Sequence, residues 1–64
     1  MGWSGGYYVM NGLIRTLNFV GVDADTREKI YEKMLRVLED QDWDTQEDCV
    51  GEDPVYDSVL RDEE

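Results

Sequence analysis

Apolar residues recur at three- and four-residue intervals along most of this chain, which is the spacing of one face of an α-helix. A first helix is predicted from about Gly6 to Asn18, capped by Ser4, with an apolar face formed by Met10, Leu13, Ile14 and Leu17. Gly12 inside this stretch weakens a helix by about 1 kcal/mol relative to alanine. The run Tyr7-Tyr8-Val9 is typical of a strand, so a short strand stays open as the alternative for the first turn.

A second helix is predicted from Thr26 to about Asp40. Its first residues, Asp25-Thr26-Arg27-Glu28, resemble a capping box, in which Asp25 accepts from the first-turn amides and Glu28 follows three residues later. The apolar stripe of this helix consists of Ile30, Met34, Val37 and Leu38, widened by Tyr31 and Leu35.

The last third of the chain contains further helix signals. Thr45-Gln46-Glu47-Asp48 has the composition of a helix N-terminus, and Gly51 is placed to end that short helix. Asp53-Pro54 predicts a final helix, because aspartate is a preferred N-cap and proline a preferred first residue. The apolar side of this helix is formed by Val55, Tyr56, Val59 and Leu60, and its end, Arg61 to Glu64, is expected to fray.

These patterns predict an all-α fold, a small domain of three to four helices that spans residues 1–64. A domain of about this size buries only roughly 60% of the surface that its unfolded chain exposes. We therefore expect the large side chains to gather in one thin core, with Trp43 pinning the acidic connection onto it. The predicted anchors are Trp3, Tyr7, Tyr8, Phe19, Tyr31, Trp43 and Tyr56. Little volume is left for a ligand pocket of about 300 Å³ or more, and we expect no cofactor.

Charge is distributed very unevenly along the chain. The sequence has 16 acidic and 6 basic residues, a formal net charge of −10. Residues 1–38 have a net charge of +1, whereas residues 39–64 carry twelve acids against Arg61 alone, a net charge of −11. We call residues 39–64 the acidic segment. Contacts with phosphates and anionic lipids require Lys and Arg, so we expect neither nucleic acid nor a membrane as a direct partner.

The cysteine content and the apolar runs indicate a cytoplasmic protein. Cys49 is the only cysteine, which rules out an internal disulfide and is typical of a reducing compartment. No apolar run approaches the roughly 20 residues of a membrane span. The N-terminus also lacks the basic and apolar regions of a secretory signal.

No combination of residues in the sequence is suited to catalysis. A serine or cysteine nucleophile needs a base, usually histidine, and the chain has none. Cys49 falls late in its predicted helix and among acids, where we expect a raised pKa and a buried, structural role. The run Asp40-Gln41-Asp42-Trp43-Asp44 has the spacing of a calcium loop, but Thr45 stands where that loop needs glycine and Gly51 where it needs glutamate. We therefore expect a binding protein without a metal site, and no enzyme.

The acids themselves are the candidates for partner binding. Asp40, Asp44 and Asp48 step by four residues, as do Asp53 and Asp57. Like charges at this spacing on a helix repel each other, at a separation of about 5–6 Å, so their density exceeds what solubility requires. Such a row imitates a line of DNA phosphates, which a basic groove would bind with electrostatically steered association.

The predicted partner-binding residues belong to one stretch of the acidic segment: Asp40, Asp42, Asp44, Glu47, Asp48, Glu52, Asp53 and Asp57. Of these, Asp44 and Asp53 are partly committed to capping. Two alternatives stay open: a solvated face that serves solubility only, and an interaction module that binds through an apolar or aromatic surface.

Several motifs give the chain a family resemblance. They are Gly2-Trp3-Ser4, Arg27 with Ile30-Tyr31, Trp43-Asp44-Thr45-Gln46, Cys49, Gly51-Glu52-Asp53-Pro54 and Asp57. Together they resemble short phage and prophage proteins, some of which are anti-CRISPR inhibitors of type I-C interference. The resemblance implies a phage-encoded inhibitor in the bacterial cytoplasm, whose partner is the basic DNA-binding surface of an RNA-guided surveillance complex. We expect it to act as a monomer.

Overall fold

Three α-helices and one short 3-10 helix make up the part of the chain that the computed structural model describes, residues 5–43 and 45–63. They are α1 (Gly5–Val20), α2 (Ala24–Asp40), the 3-10 helix (Gln46–Cys49) and α3 (Pro54–Glu63). No strand occurs in these ranges, so the all-α prediction is confirmed. The strand alternative for Tyr7-Tyr8-Val9 is wrong, because these residues belong to the first turns of α1.

A glycine ends α1, two residues beyond the predicted end. The amides of Gly21 and Val22 both donate to the carbonyl of Leu17, at 3.1 and 3.0 Å, which satisfies a carbonyl in the last turn. Gly21 has φ 88, a conformation that costs glycine little. The predicted N-cap, Ser4, lies outside the described residues.

The N-terminus of α2 differs from the prediction by two residues. Asp23, and not Asp25, is the N-cap: its carboxylate accepts from the Thr26 amide at 3.0 Å and from the Thr26 hydroxyl at 2.8 Å. These bonds from Thr26 hold the pKa of Asp23 below its ordinary value. Asp25 lies in the first turn, where its charge still complements the helix dipole.

The core lies where α1, α2, α3 and the connection before the 3-10 helix meet. Trp43 is 1% exposed, so its predicted packing onto the core is confirmed. Its ring rests against α1 at Gly6, where an added Cβ would lie 2.8 Å from the Trp43 Cβ. The indole Nε1 donates to the Thr45 hydroxyl at 2.9 Å. The buried core residues are Met10, Ile14, Tyr31, Leu35, Leu38, Trp43, Cys49, Tyr56 and Val59.

Two of the predicted core anchors are not in the core. Phe19 is 91% exposed and Tyr8 is 74% exposed, because both lie on the side of α1 that faces away from the other helices. Val37, which we predicted in the apolar stripe of α2, is also exposed. Trp3 lies outside the described residues.

The final helix begins at Pro54 as predicted, and its apolar side is confirmed. Tyr56 and Val59 are buried, and Val55 and Leu60 are half-buried. The Tyr56 hydroxyl donates to the carbonyl of Gln46 at 2.7 Å, which ties α3 to the 3-10 helix.

Candidate acidic partner surface

The predicted helical row of carboxylates does not form. Asp40 is the last residue of α2, Asp42 follows in a left-handed conformation with φ 68, and Asp48 lies on the separate 3-10 helix. The four-residue spacing from 40 to 48 is therefore not a helical spacing. Asp44, the middle member of the row, lies outside the described residues.

Five of the predicted acids are nevertheless exposed, and we call them the exposed acidic set. They occupy the end of α2, the turn after it, the 3-10 helix and the loop before α3: Asp40, Asp42, Glu47, Asp48 and Glu52. Among the described residues, only Glu52 of this set has a cationic partner, Arg15, with 3.5 Å between Nε and Oε1. The other ion pair in the described ranges joins Arg27 to Asp53. Most of the exposed acidic charge is therefore uncompensated there.

Gln46 brings the end of α2 and the 3-10 helix together. Its side-chain amide donates to the Trp43 carbonyl at 2.8 Å and to the carboxylate of Glu39 at 3.4 Å. The last turn of α2, which carries Glu39 and Asp40, is thus held beside the element that carries Glu47 and Asp48. The end of α2 and the start of the 3-10 helix therefore lie close together, although no helix connects them.

Asp53, by contrast, has to be withdrawn from the candidate surface, because it is 1% exposed. Its Oδ2 accepts hydrogen bonds from the Tyr31 hydroxyl at 2.6 Å, the Asn18 amide at 3.0 Å and Arg27 Nε at 3.0 Å. Its Oδ1 accepts from the Val55 amide at 2.9 Å, as an N-cap of α3. This one carboxylate therefore joins α1, α2 and α3, and we call it and its three side-chain donors the Asp53 network.

The surroundings of Asp53 favour its charged form. Burial alone would raise the pKa of Asp53, since it disfavours the charge. The hydrogen bonds from Tyr31, Asn18 and the Val55 amide, with the charge of Arg27, outweigh burial and hold the pKa below its ordinary value. Burial first, and then the bond to Asp53 and its charge, raise the pKa of Tyr31. At neutral pH the phenol therefore donates and the carboxylate accepts.

Asp57 also has a structural partner. It is half-buried, and its two carboxylate oxygens accept from the Gly51 amide at 3.0 and 3.3 Å. Gly51 has φ 97, the left-handed turn that ends the 3-10 segment as predicted. Asp57 thus stabilises the turn before α3. Its carboxylate is less accessible to a partner than the carboxylate of an exposed acid.

Part of the Asp53 network had a signal in the sequence. Arg27 and Tyr31 are four residues apart on α2, so they share a helix face and reach a common partner. Nothing local marks Asn18, which is 35 residues from Asp53 in the chain. The prediction recognised Asp53 as an N-cap but did not recognise that the cap is buried.

Cys49 has the buried position that the sequence predicts. It is fully buried, and burial, followed by the charges of Asp48 and Glu52, raises the pKa of its thiol to about 11. A thiol with this pKa is almost entirely protonated at neutral pH, and the thiolate is the reactive form. The surroundings of Cys49 thus suit a small apolar core residue.

Two shallow depressions lie on the described surface. One, of about 180 Å³, is lined by Lys29, Glu32, Lys33 and Arg36 on α2. Another, of about 290 Å³, is lined by Val50, Asp57, Leu60 and Arg61. No described helix has the length and apolar character needed to cross a membrane. Comparison of the chain with protein families, curated proteins and solved structures finds no match.

Proposed function

We propose that this protein is a phage-encoded anti-CRISPR inhibitor that binds a type I surveillance complex, of type I-C in particular, in the bacterial cytoplasm. In this proposal it occupies the basic surface that grips target DNA and so keeps DNA from docking. The exposed acidic set carries the proposal: Asp40, Asp42, Glu47 and Asp48 are exposed and have no cationic partner among the described residues. The family resemblance of the sequence motifs supplies the identity of the complex.

Electrostatics explains why such a surface would compete with DNA. A surveillance complex holds duplex and heteroduplex in positively charged channels through the backbone. Neutralising phosphates releases counterions, so binding of this kind weakens steeply as salt rises. The acids of this protein are spread over a helix end, a turn and a 3-10 helix. The proposed mimicry therefore rests on the density of exposed carboxylates and not on a straight helical row.

A second candidate function has one observation in its favour. The outer side of α1 exposes Tyr8, Phe19 and Val20, and exposed aromatics of this kind are common in protein–protein interfaces. The protein would then be a phage accessory or adaptor protein that binds an apolar surface. Its binding would depend on these side chains and would resist salt, because apolar burial is only weakly screened.

Charge reversal on the 3-10 helix separates the two candidates. We expect the double variant Glu47→Lys/Asp48→Lys to lose roughly tenfold or more in affinity for the purified I-C complex, which corresponds to about 1.4 kcal/mol. The matched control is Glu28→Lys/Glu32→Lys, which makes the same change of charge at exposed positions of α2. Circular dichroism of both variants checks that the fold is kept.

Three outcomes would contradict the proposal. The first is a folded Glu47→Lys/Asp48→Lys variant that binds and inhibits at wild-type strength. The second is an equal loss in the control, which would mean that only net charge matters. The third is simultaneous binding of the protein and target DNA to the complex, because a DNA mimic and DNA must exclude each other.

A further inference from the structure

The outward side of α1 is apolar and has no partner among the described residues. It is formed by Tyr8, Val9, Gly12, Thr16, Phe19 and Val20, which recur at helical spacing, and we call it the α1 outer face. Phe19 is 91% exposed, Tyr8 74% and Val20 68%. Exposed apolar patches on a soluble protein mark interaction sites when their side chains are contiguous, and single exposed residues do not.

Gly12 gives this face its shape. It lies in the middle of α1 and is exposed, and a Cβ added there would meet nothing within 4 Å. No contact within the described ranges therefore requires glycine, although glycine costs a helix interior about 1 kcal/mol relative to alanine. A glycine in an apolar helix face allows the backbone of another element to approach closely. Gly12 thus leaves room at the middle of this face for the backbone of another element.

We propose that the occupant of the α1 outer face is a second copy of this chain, with the two α1 helices antiparallel and crossing at Gly12. In this register Phe19 of one copy lies opposite Gly5 of the other, and Tyr8 lies opposite Thr16. Phe19 and Tyr8 then each face a small residue, twice, around a twofold axis. Such self-complementarity is what an isologous contact requires.

The charge distribution allows a second copy to approach at this face. Each copy has a net charge of −10, so two copies repel wherever their acids approach. The only charged residue of α1 is Arg15. Its ion pair with Glu52 brings one member of the exposed acidic set beside α1, and the other four members belong to other parts of the chain. Contact through α1 therefore joins two acidic chains without placing acidic side chains of that helix against each other.

The size of the face indicates a dimer that dissociates on dilution. Aromatic side chains bury about 150–250 Å² each, so two faces with Tyr8, Phe19 and the valines would cover on the order of 1,000 Å². That is near the lower limit for a specific interface. The sequence predicts a monomer with Phe19 and Tyr8 in its core, and the exposure of these two residues is the reason for the departure.

Sedimentation of the full chain over a range of concentrations, from about 5 to about 500 μM, tests the dimer. We expect a concentration-dependent dimer whose dissociation constant rises roughly tenfold or more in Gly12→Leu and in Phe19→Ser. Gly12→Leu leaves the monomer intact, because the site is open and leucine is the better helix former. The matched control is Val37→Ser, which removes an exposed valine from α2 and should change nothing.

Salt dependence keeps this inference separate from the proposed function. Added salt screens the repulsion between two acidic copies and should tighten the dimer, whereas it should weaken binding to a basic partner. A wild-type chain that stays monomeric at every concentration would overturn the inference and leave the α1 outer face to a foreign partner. A dimer that Gly12→Leu and Phe19→Ser do not weaken would place the contact elsewhere and overturn it as well.

Discussion

Replacing Asp53 by asparagine should unfold this protein or bring it close to unfolding. The carboxylate accepts four hydrogen bonds, three of them at Oδ2, and is the only anion paired with the half-buried Arg27 among the described residues. An asparagine would direct its amide N–H groups either at these three donors or at the Val55 amide. It would also leave Arg27 without its ion-pair partner.

The expected loss is large compared with the stability of the domain. Removing one partner of a buried ion pair costs about 3–5 kcal/mol. A chain of this length has a free energy of unfolding of roughly 3–10 kcal/mol, at about 0.05–0.15 kcal/mol per residue. We therefore expect Asp53→Asn to be largely unfolded at 25 °C, or to melt far below the wild type.

Urea and thermal unfolding followed by circular dichroism provide the measurement. Asp48→Asn is the matched control, because it makes the same chemical change at an exposed position without a side-chain partner among the described residues. We expect it to stay within about 0.5 kcal/mol of the wild type. If Asp53→Asn also stays within about 1 kcal/mol of that control, the energetic role that we assign to the Asp53 network is wrong.

The same network predicts a loss of stability in acid. The pKa of Asp53 is lower in the folded protein than its ordinary value of 3.8, which it takes in the unfolded chain. The network therefore contributes its full stability above that value and loses it as the pH falls through the lower folded pKa. Any Asp53→Asn protein that still folds should lack this part of the acid transition.

Two further predictions concern the core. Gly6→Ala should destabilise the fold by about 1–3 kcal/mol, because the new methyl group meets the Trp43 side chain. Gly12→Ala should instead stabilise α1 by up to about 1 kcal/mol, because its site is open. Equal urea unfolding midpoints for the two variants would refute this difference. Cys49 should resist a thiol reagent in the native state and react only after unfolding in urea, because its thiol is buried and has a pKa of about 11. Fast labelling of the native protein would contradict the burial of Cys49.

Local signals predicted the helices because the residues that create them act over a few positions. Asp53-Pro54 begins α3 through a cap to the nearby Val55 amide, and the Gly51 turn ends the 3-10 segment. The wrong N-cap predicted for α2 also involves only neighbouring residues. Asp23 and Asp25 are both of a residue type that is preferred at N-caps. Only Asp23 is followed three positions later by a residue that offers two donors, the amide and the hydroxyl of Thr26.

Periodicity could not decide which apolar residues are buried. It places Phe19 and Tyr8 on α1 but does not say how many elements pack around that helix. The other described elements contact the opposite side of α1, where Met10 and Ile14 are buried. The side with Phe19 therefore stays exposed, and hydrophobicity alone does not distinguish a core anchor from an exposed contact residue.

The acidic surface was predicted in composition but not in geometry. A spacing of four residues has meaning only within one helix, and α2 ends at Asp40 before the spacing can repeat. The burial of Asp53 depends on Asn18 and Arg27, which are 35 and 26 residues away in the chain. Contacts over such separations leave no mark in a local pattern.

The residues behind the family resemblance have mostly structural roles in this fold. Arg27 and Tyr31 bind Asp53, and the remaining motif residues include a buried tryptophan with its Thr45 acceptor, a buried cysteine and a glycine turn held by an aspartate. A motif built from such residues specifies how the chain folds.

Substitutions that test partner binding without disturbing the fold are therefore best placed outside these structural positions. The exposed acidic set meets that condition almost entirely. Of its five members only Glu52 belongs to the motif, and Asp40, Asp42, Glu47 and Asp48 do not. Substitutions at Asp40, Glu47 and Asp48 therefore test the proposed function with little disturbance of the fold. A substitution at Asp42, which has φ 68, would also strain the turn, and substitutions within the motif would mainly report on stability.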